Sequence, residues 1–143
     1  MYDTYPARLV GDENGEIIVS FRDVPEALTS GDGVSDAIGQ AEDALIAALE
    51  GYIHAKRPIP RPSRPEPGEA LVRLSVVTAA KLLLYDEMRA ASLSKTALAQ
   101  RLAVTEATVR RLLDLDHDSR IDLIDAALRQ FGKRLSVRVE KAA

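Results

Sequence analysis

The chain has 143 residues, 46% of them hydrophobic and 29% charged, with no cysteine and a formal net charge of −3. That length suits one domain or two lobes of roughly 70 residues, and lobes so small predict an oligomer that supplies further burial. The lack of cysteine excludes a disulfide framework and thiolate chemistry. No apolar run nears the roughly 20 residues of a membrane span, and Met1 to Pro6 has neither the basic nor the apolar part of a secretory signal, so a cytoplasmic protein is expected.

In chain order, Tyr5 to Val10 has strand character and runs into the turn cluster Gly11-Asp12-Glu13-Asn14-Gly15. Ile17 to Phe21 is a β-branched and aromatic run, so a hairpin is predicted. After the interruption at Pro25, Ala27 to Ser30 is a third short strand ending at Gly31. The Ser-Gly-Asp-Gly stretch that follows lacks the spacing of a phosphate-binding loop and reads as a turn into a helix. That helix is predicted from Val34 to Ala55, with Val34, Ala37, Ile38, Ala41, Leu45, Ala48, Leu49 and Tyr52 on its apolar stripe. Residues 58–67 hold five of the seven prolines, which makes an extended, stiff segment. Ala70, Val72, Leu74 and Val76 then alternate with Leu71, Arg73 and Ser75, the pattern of a fourth strand. A domain boundary is expected near Val76 to Thr78, giving domains 1–76 and 77–143.

The two halves differ in charge. Residues 1–76 carry 7 lysines and arginines against 13 acids, a net −6, whereas residues 77–143 carry 12 against 9, a net +3. An acidic lobe suits a basic protein partner, and a basic lobe suits nucleic acid.

The second half opens with a helix predicted from Thr78 to Ala91. Lys95 to Leu102 and a second segment starting near Thr105 then read as a helix-turn-helix, burying Leu98, Ala99 and Leu102 against Val109, Leu112 and Leu113. Thr105 is placed to cap the second helix. Ala99 marks the close crossing, and Ala103 stands in the turn where glycine would most easily take positive φ. Alanine in a left-handed turn costs about 1 kcal/mol. The surface left over is Lys95, Thr105, Glu106, Ala107, Thr108, Arg110 and Arg111, small and polar groups followed by arginines, which fits the base edges and phosphates of a DNA major groove. An ordinary helical hairpin is the competing reading. A last helix is predicted from Arg120 to Phe131, stopping at Gly132. Leu135, Val137 and Val139 then alternate with Ser136 and Arg138 as one short strand, which would pair with its copy in a second subunit and hold a dimer.

Both halves resemble one family, the HicB antitoxins of bacterial toxin–antitoxin pairs. The likeness rests on Ser20-Phe21-Arg22-Asp23-Val24-Pro25-Glu26-Ala27-Leu28-Thr29-Ser30-Gly31-Asp32, the acidic alanine-rich helix, and the Pro-Ile-Pro-Arg-Pro-Ser segment. It continues through Leu74-Ser75-Val76, the helix-turn-helix and the Gly-Lys-Arg-Leu-Ser-Val run at 132–137. The resemblance implies an α+β protein: an N-terminal partial RNase H-like βββαβ domain and a C-terminal all-α helix-turn-helix domain with a short terminal strand. It also implies two partners. One is a small basic HicA-like toxin that cleaves mRNA using a histidine, for which Asp23 and Glu26 are candidate contacts. The other is the operator DNA of the protein's own operon, bound by a homodimer or higher homo-oligomer.

Enzyme readings have little to stand on. A carboxylate and metal nuclease needs several acids converging on two ions about 4 Å apart. The first strand holds no acid, and Asp12, Asp23 and Asp32 fall in or near turns. His54 and His117, the only histidines, are too few for a three-histidine zinc site and lie in different lobes. No catalytic residue, metal or cofactor is expected. The alternative function is a stand-alone transcription regulator whose N-terminal lobe senses a ligand, and a third is a dimerisation module with no DNA role.

Overall fold

The computed structural model describes residues 2–142. β1 (Thr4–Gly11), β2 (Ile17–Ser20), β3 (Thr29–Gly31) and β4 (Ala70–Arg73) form a sheet of order β3-β2-β1-β4, and α1 (Val34–His54) lies between β3 and β4 in the chain. Every pairing is antiparallel, with Val10 opposite Ile18 and Tyr5 opposite Val72. The hairpin between β1 and β2 closes because the Asp12 carboxylate accepts the amides of Asn14 and Glu16, each at 2.9 Å, while Gly15 takes a φ of 81°. The strand period of two puts Tyr5, Ala7, Val19 and Val72 in the core with Ala37, Ala41, Leu45 and Leu49 of α1. Arg8, Val10, Ile18 and Leu71 remain exposed on the sheet. The turn from β3 into α1 passes so close to the helix that a Cβ on Gly31 would stand 2.5 Å from the Ala37 amide nitrogen.

The proline segment carries the chain back to β4, as its composition predicts. The strand is shorter than the alternation suggests, ending at Arg73 instead of running to Val76. The reason is local: the Ser75 hydroxyl accepts the Thr78 amide at 3.1 Å and caps α2 (Val76–Ala90), which leaves Val76 exposed in a first helical turn. Val34, assigned to the buried stripe of α1, is likewise 62% exposed in the first turn of its helix. The helical half continues with α3 (Lys95–Leu102), α4 (Glu106–Leu113) and α5 (Ile121–Arg129), close to the predicted bounds. Gly132, with φ of 72°, lies just past the last helix.

The terminal strand expected at Leu135 to Val139 does not form within the single chain. Leu135 folds back on its own helix, its amide donating to Asp125 Oδ1 at 2.8 Å, and Val137 and Val139 stand exposed. A lone strand has no ladder partner here, so its backbone stays unpaired.

The halves are joined along α2. Tyr2 donates its hydroxyl to Asp86, Tyr85 donates to the Arg57 carbonyl at 2.8 Å, and the Arg89 guanidinium donates to the Lys56 carbonyl at 3.2 Å. Buried apolar residues from Tyr2 to Leu128 make one connected cluster across this seam. Among the described residues, no helix is long and apolar enough to cross a membrane.

Candidate nucleic-acid interface

Helices α3 and α4 are only eight residues each, too short to persist on their own, so packing and caps must hold them. Leu98, Ala99, Val109, Leu112 and Leu113 supply the packing, buried as predicted, whereas Leu102, expected with them, is only half-buried. The turn between them is set by Ala103 at φ 56° and ψ 43°, the left-handed conformation that the sequence requires of this non-glycine residue. That geometry lets the Ala103 and Val104 amides close onto the carbonyls of Gln100 and Ala99 at 3.2 and 3.0 Å. Ser94 and Thr105 cap the two helices, accepting the amides of Ala97 at 3.0 Å and Thr108 at 3.2 Å.

The other end of α4 is held by a residue that the sequence reading passed over. Lys81 of α2 is fully buried and donates to three carbonyls: Arg111 at 2.9 Å, Asp114 at 2.6 Å and His117 at 2.6 Å. All three ammonium protons are thereby used, and the cation sits where the helix dipole is negative. Burial pushes the ammonium below the ordinary lysine range, against the pull of Asp114, Glu50 and Asp118. One signal was available in the sequence. Thr78, Lys81, Leu82 and Tyr85 share the helical spacing of an inward stripe, and a lysine on such a stripe needs a buried acceptor.

With α4 fixed at both ends, its exposed side has a definite shape. Lys95, Ala107, Arg110 and Arg111 line one open cleft of about 1220 Å³, so four of the seven expected DNA-facing residues share a surface. Arg110 is partly tied to Glu106 by an ion pair of 3.2 Å, and Glu106 also accepts the Thr96 hydroxyl at 3.2 Å. The hydroxyls of Thr105 and Thr108 stand 2.9 Å apart in the cap, which occupies both. Among the described residues, Lys95 and Arg111 have no ion-pair partner.

The acids of the first half follow a different pattern. Asp23 accepts both the amide of Ser63 at 2.8 Å and its hydroxyl at 2.5 Å, pinning the proline segment. Glu26 accepts the Tyr52 hydroxyl at 2.7 Å and lies 3.4 Å from Arg57. That hydroxyl first, and Arg57 after it, hold the Glu26 carboxyl below its ordinary range. The matched motif therefore uses both acids inside the molecule. Glu42 and Asp43 of α1 remain exposed.

At the seam, Glu50 of α1 accepts the Leu115 amide, and its carboxylate lies within 4.8 Å of those of Asp114 and Asp116. Burial is the main reason its pKa is raised, with the two aspartates adding to it. His54 is exposed and 3.9 Å from Glu50, and the His117 ring meets the Ser119 hydroxyl at 3.1 Å. Glu50 carried no sequence signal, because its partner is a backbone amide 65 residues away.

Several known proteins are similar to this chain over most of its length. The profile of a family described as the HicB_like antitoxin of bacterial toxin–antitoxin systems matches residues 4–83. "Antitoxin HicB 2" of Photorhabdus laumondii is 38% identical over 133 residues, covering 93% of this chain and 94% of that one. "Antitoxin HicB" of Pseudomonas fluorescens is 37% identical over 134 residues, covering 93% and 92%. The protein of that name from Escherichia coli is 33% identical over 133 residues, covering 93% and 96%.

Proposed function

The chain belongs to the HicB-like antitoxin family, and from that premise we propose that it neutralises a HicA-like mRNA-cleaving toxin and represses its own operon by binding operator DNA. In this reading the βββαβ half is a partial RNase H-like domain for the toxin, and α3 with α4 is a helix-turn-helix for DNA. The functional division falls at 1–76 and 77–143, and the protein works in the cytoplasm without catalysing a reaction. The observation that carries the DNA role is an α4 held at both ends, by Thr105 and Lys81, beside the cations Arg111 and Lys95, which have no ion-pair partner among the described residues. Thr105, Glu106, Ala107, Thr108 and Arg110 complete the surface.

For the toxin, the acidic half supplies the complementary charge. Asp23 and Glu26 shape that surface while bonded within it, and the exposed Glu42 and Asp43 supply free charge. Dimerisation falls to the tail. Leu135, anchored by Asp125, starts an extended segment whose exposed Val137 and Val139 fit antiparallel pairing with a second copy. A two-fold dimer requires a palindromic operator with half-sites about 34 Å apart or a multiple of it.

Co-expression with the protein encoded next to this chain tests the first role: a small basic toxin should co-purify and be silenced. A gel shift with the DNA upstream of the operon tests the second. Removing residues 136–143 should lower operator affinity sharply and reduce the oligomeric state in sedimentation, with toxin inhibition intact. An unchanged oligomer would place the dimer contact elsewhere.

A further inference from the structure

The cleft beside α4 is lined from both halves of the molecule. Lys56, just past the end of α1, and Arg89, in the last turn of α2, line it together with Lys95, Arg110 and Arg111. Three acids, Glu50, Asp114 and Asp116, also line it and gather around the Leu115 amide.

We propose that the cations of this cleft seat the phosphate backbone of one DNA strand, with Lys56 of the toxin-binding half and Arg89 of α2 making phosphate contacts beside those of α4, so that operator binding draws on residues of both halves. The inference rests on the operator-binding reading and adds residues to it from outside the helix pair. Three features support it. The Lys56 ammonium has no ion-pair partner among the described residues, although its backbone is firmly placed. Its carbonyl accepts the Arg89 Nε–H at 3.2 Å, and Tyr85 holds the neighbouring Arg57 carbonyl, so both cations sit on a braced corner and not on a free loop. The Arg89 guanidinium, held by the Lys56 carbonyl and lying beside the Tyr85 hydroxyl, is fixed at the cleft, and a guanidinium fork suits phosphate oxygens. Phosphate contacts of this kind position a protein on the duplex without reading sequence.

The test uses the full chain and a duplex spanning the DNA immediately upstream of its own reading frame, with affinity measured across a salt series. Each lost phosphate contact flattens the slope of log affinity against log salt by about 0.9. Lys56→Gln and Arg89→Gln should each flatten it by about that amount and weaken binding to specific and unrelated duplexes alike. Arg73→Gln, an exposed change on β4 outside the cleft, should leave the slope as it is. Arg89 also braces the seam, so Lys56→Gln is the cleaner variant: it keeps the left-handed backbone at φ 55° and removes only a charge. If the wild type binds and Arg111→Ala weakens it, yet Lys56→Gln and Arg89→Gln keep the full slope, this inference is overturned and the operator reading stands. If the wild type binds no duplex from that region, both fall.

Discussion

The two halves of this molecule use charge in opposite ways. In the sheet half, Asp23 is spent on Ser63 and Glu26 on Tyr52 and Arg57, so the acids of the most recognisable motif hold the lobe together. In the helical half one cation, Lys81, is buried for that purpose, and Arg111 and Lys95 are left free at the surface. The contrast separates charge that builds a surface from charge offered to a partner. Net charge of −6 and +3 for the two halves hides that difference, because it counts a bonded carboxylate and a free one alike.

The sharpest way to break the comparison is at Lys81. Replacing it in Lys81→Met should leave the His117 carbonyl without a partner, at roughly 1–3 kcal/mol, and strip the charge-assisted bonds from the Arg111 and Asp114 carbonyls, which keep the amides of Asp114 and His117. This should loosen the end of α4 and weaken DNA binding along with it. Urea denaturation of the full chain measures the loss. The pH dependence has a definite sign. Burial lowers the folded pKa of Lys81 below the ordinary 10.5, so between those values the unfolded chain binds the extra proton and stability rises with pH. The methionine variant should lack that rise.

Arg111→Ala tests the offered charge. It should reduce operator affinity by about 1–3 kcal/mol if the side chain reads a base, while stability moves by less than about 0.5 kcal/mol, as for other exposed substitutions. Asp23→Asn tests the converse. Asparagine can still accept the Ser63 amide and donate to the Ser63 hydroxyl, so only the charge assistance is lost, and a loss of about 1 kcal/mol of stability is expected, with operator binding unchanged. An affinity loss for the toxin larger than the stability loss explains would move Asp23 from the building class to the offered one.

The smallest effect should come from Glu50→Gln. The glutamine oxygen can still accept the Leu115 amide, and the repulsion from Asp114 and Asp116 is gone. The folded pKa of Glu50 is raised above the ordinary 4.5, so the wild type loses stability as pH rises through that window. At neutral pH the variant should be at least as stable as the wild type by thermal melting, and the difference should shrink as pH falls to the ordinary glutamate range.

Local periodicity made much of this fold readable. The stripe of α1, the hairpin at Asp12 to Gly15, and the two short helices around Ala103 all depend on residues within a turn of one another. The readings strayed where a cap or a distant group decided the outcome. Ser75 turned the end of an alternating run into a helix start. Asp125 drew Leu135 back onto α5, so that no strand forms in the single chain. In the candidate site, the sequence placed the exposed residues of α4 on one surface with Lys95, but it could not show that Thr105 and Thr108 occupy each other. Nor could it bring Lys56 and Arg89 to the same cleft, since that needs the bonds from Tyr85 and Arg89 of α2 to the carbonyls just past α1.

Toxin neutralisation and operator binding should be separable, because the arginines offered on α4 and the acids of the sheet half are different residues. The most direct test follows growth and operator occupancy together in cells carrying the toxin and either the wild-type chain or the Arg110→Ala, Arg111→Ala double variant. The account predicts that the double variant still rescues growth from the toxin while the operator is left unoccupied. Loss of rescue by a normally folded double variant, or undiminished operator occupancy, would contradict it.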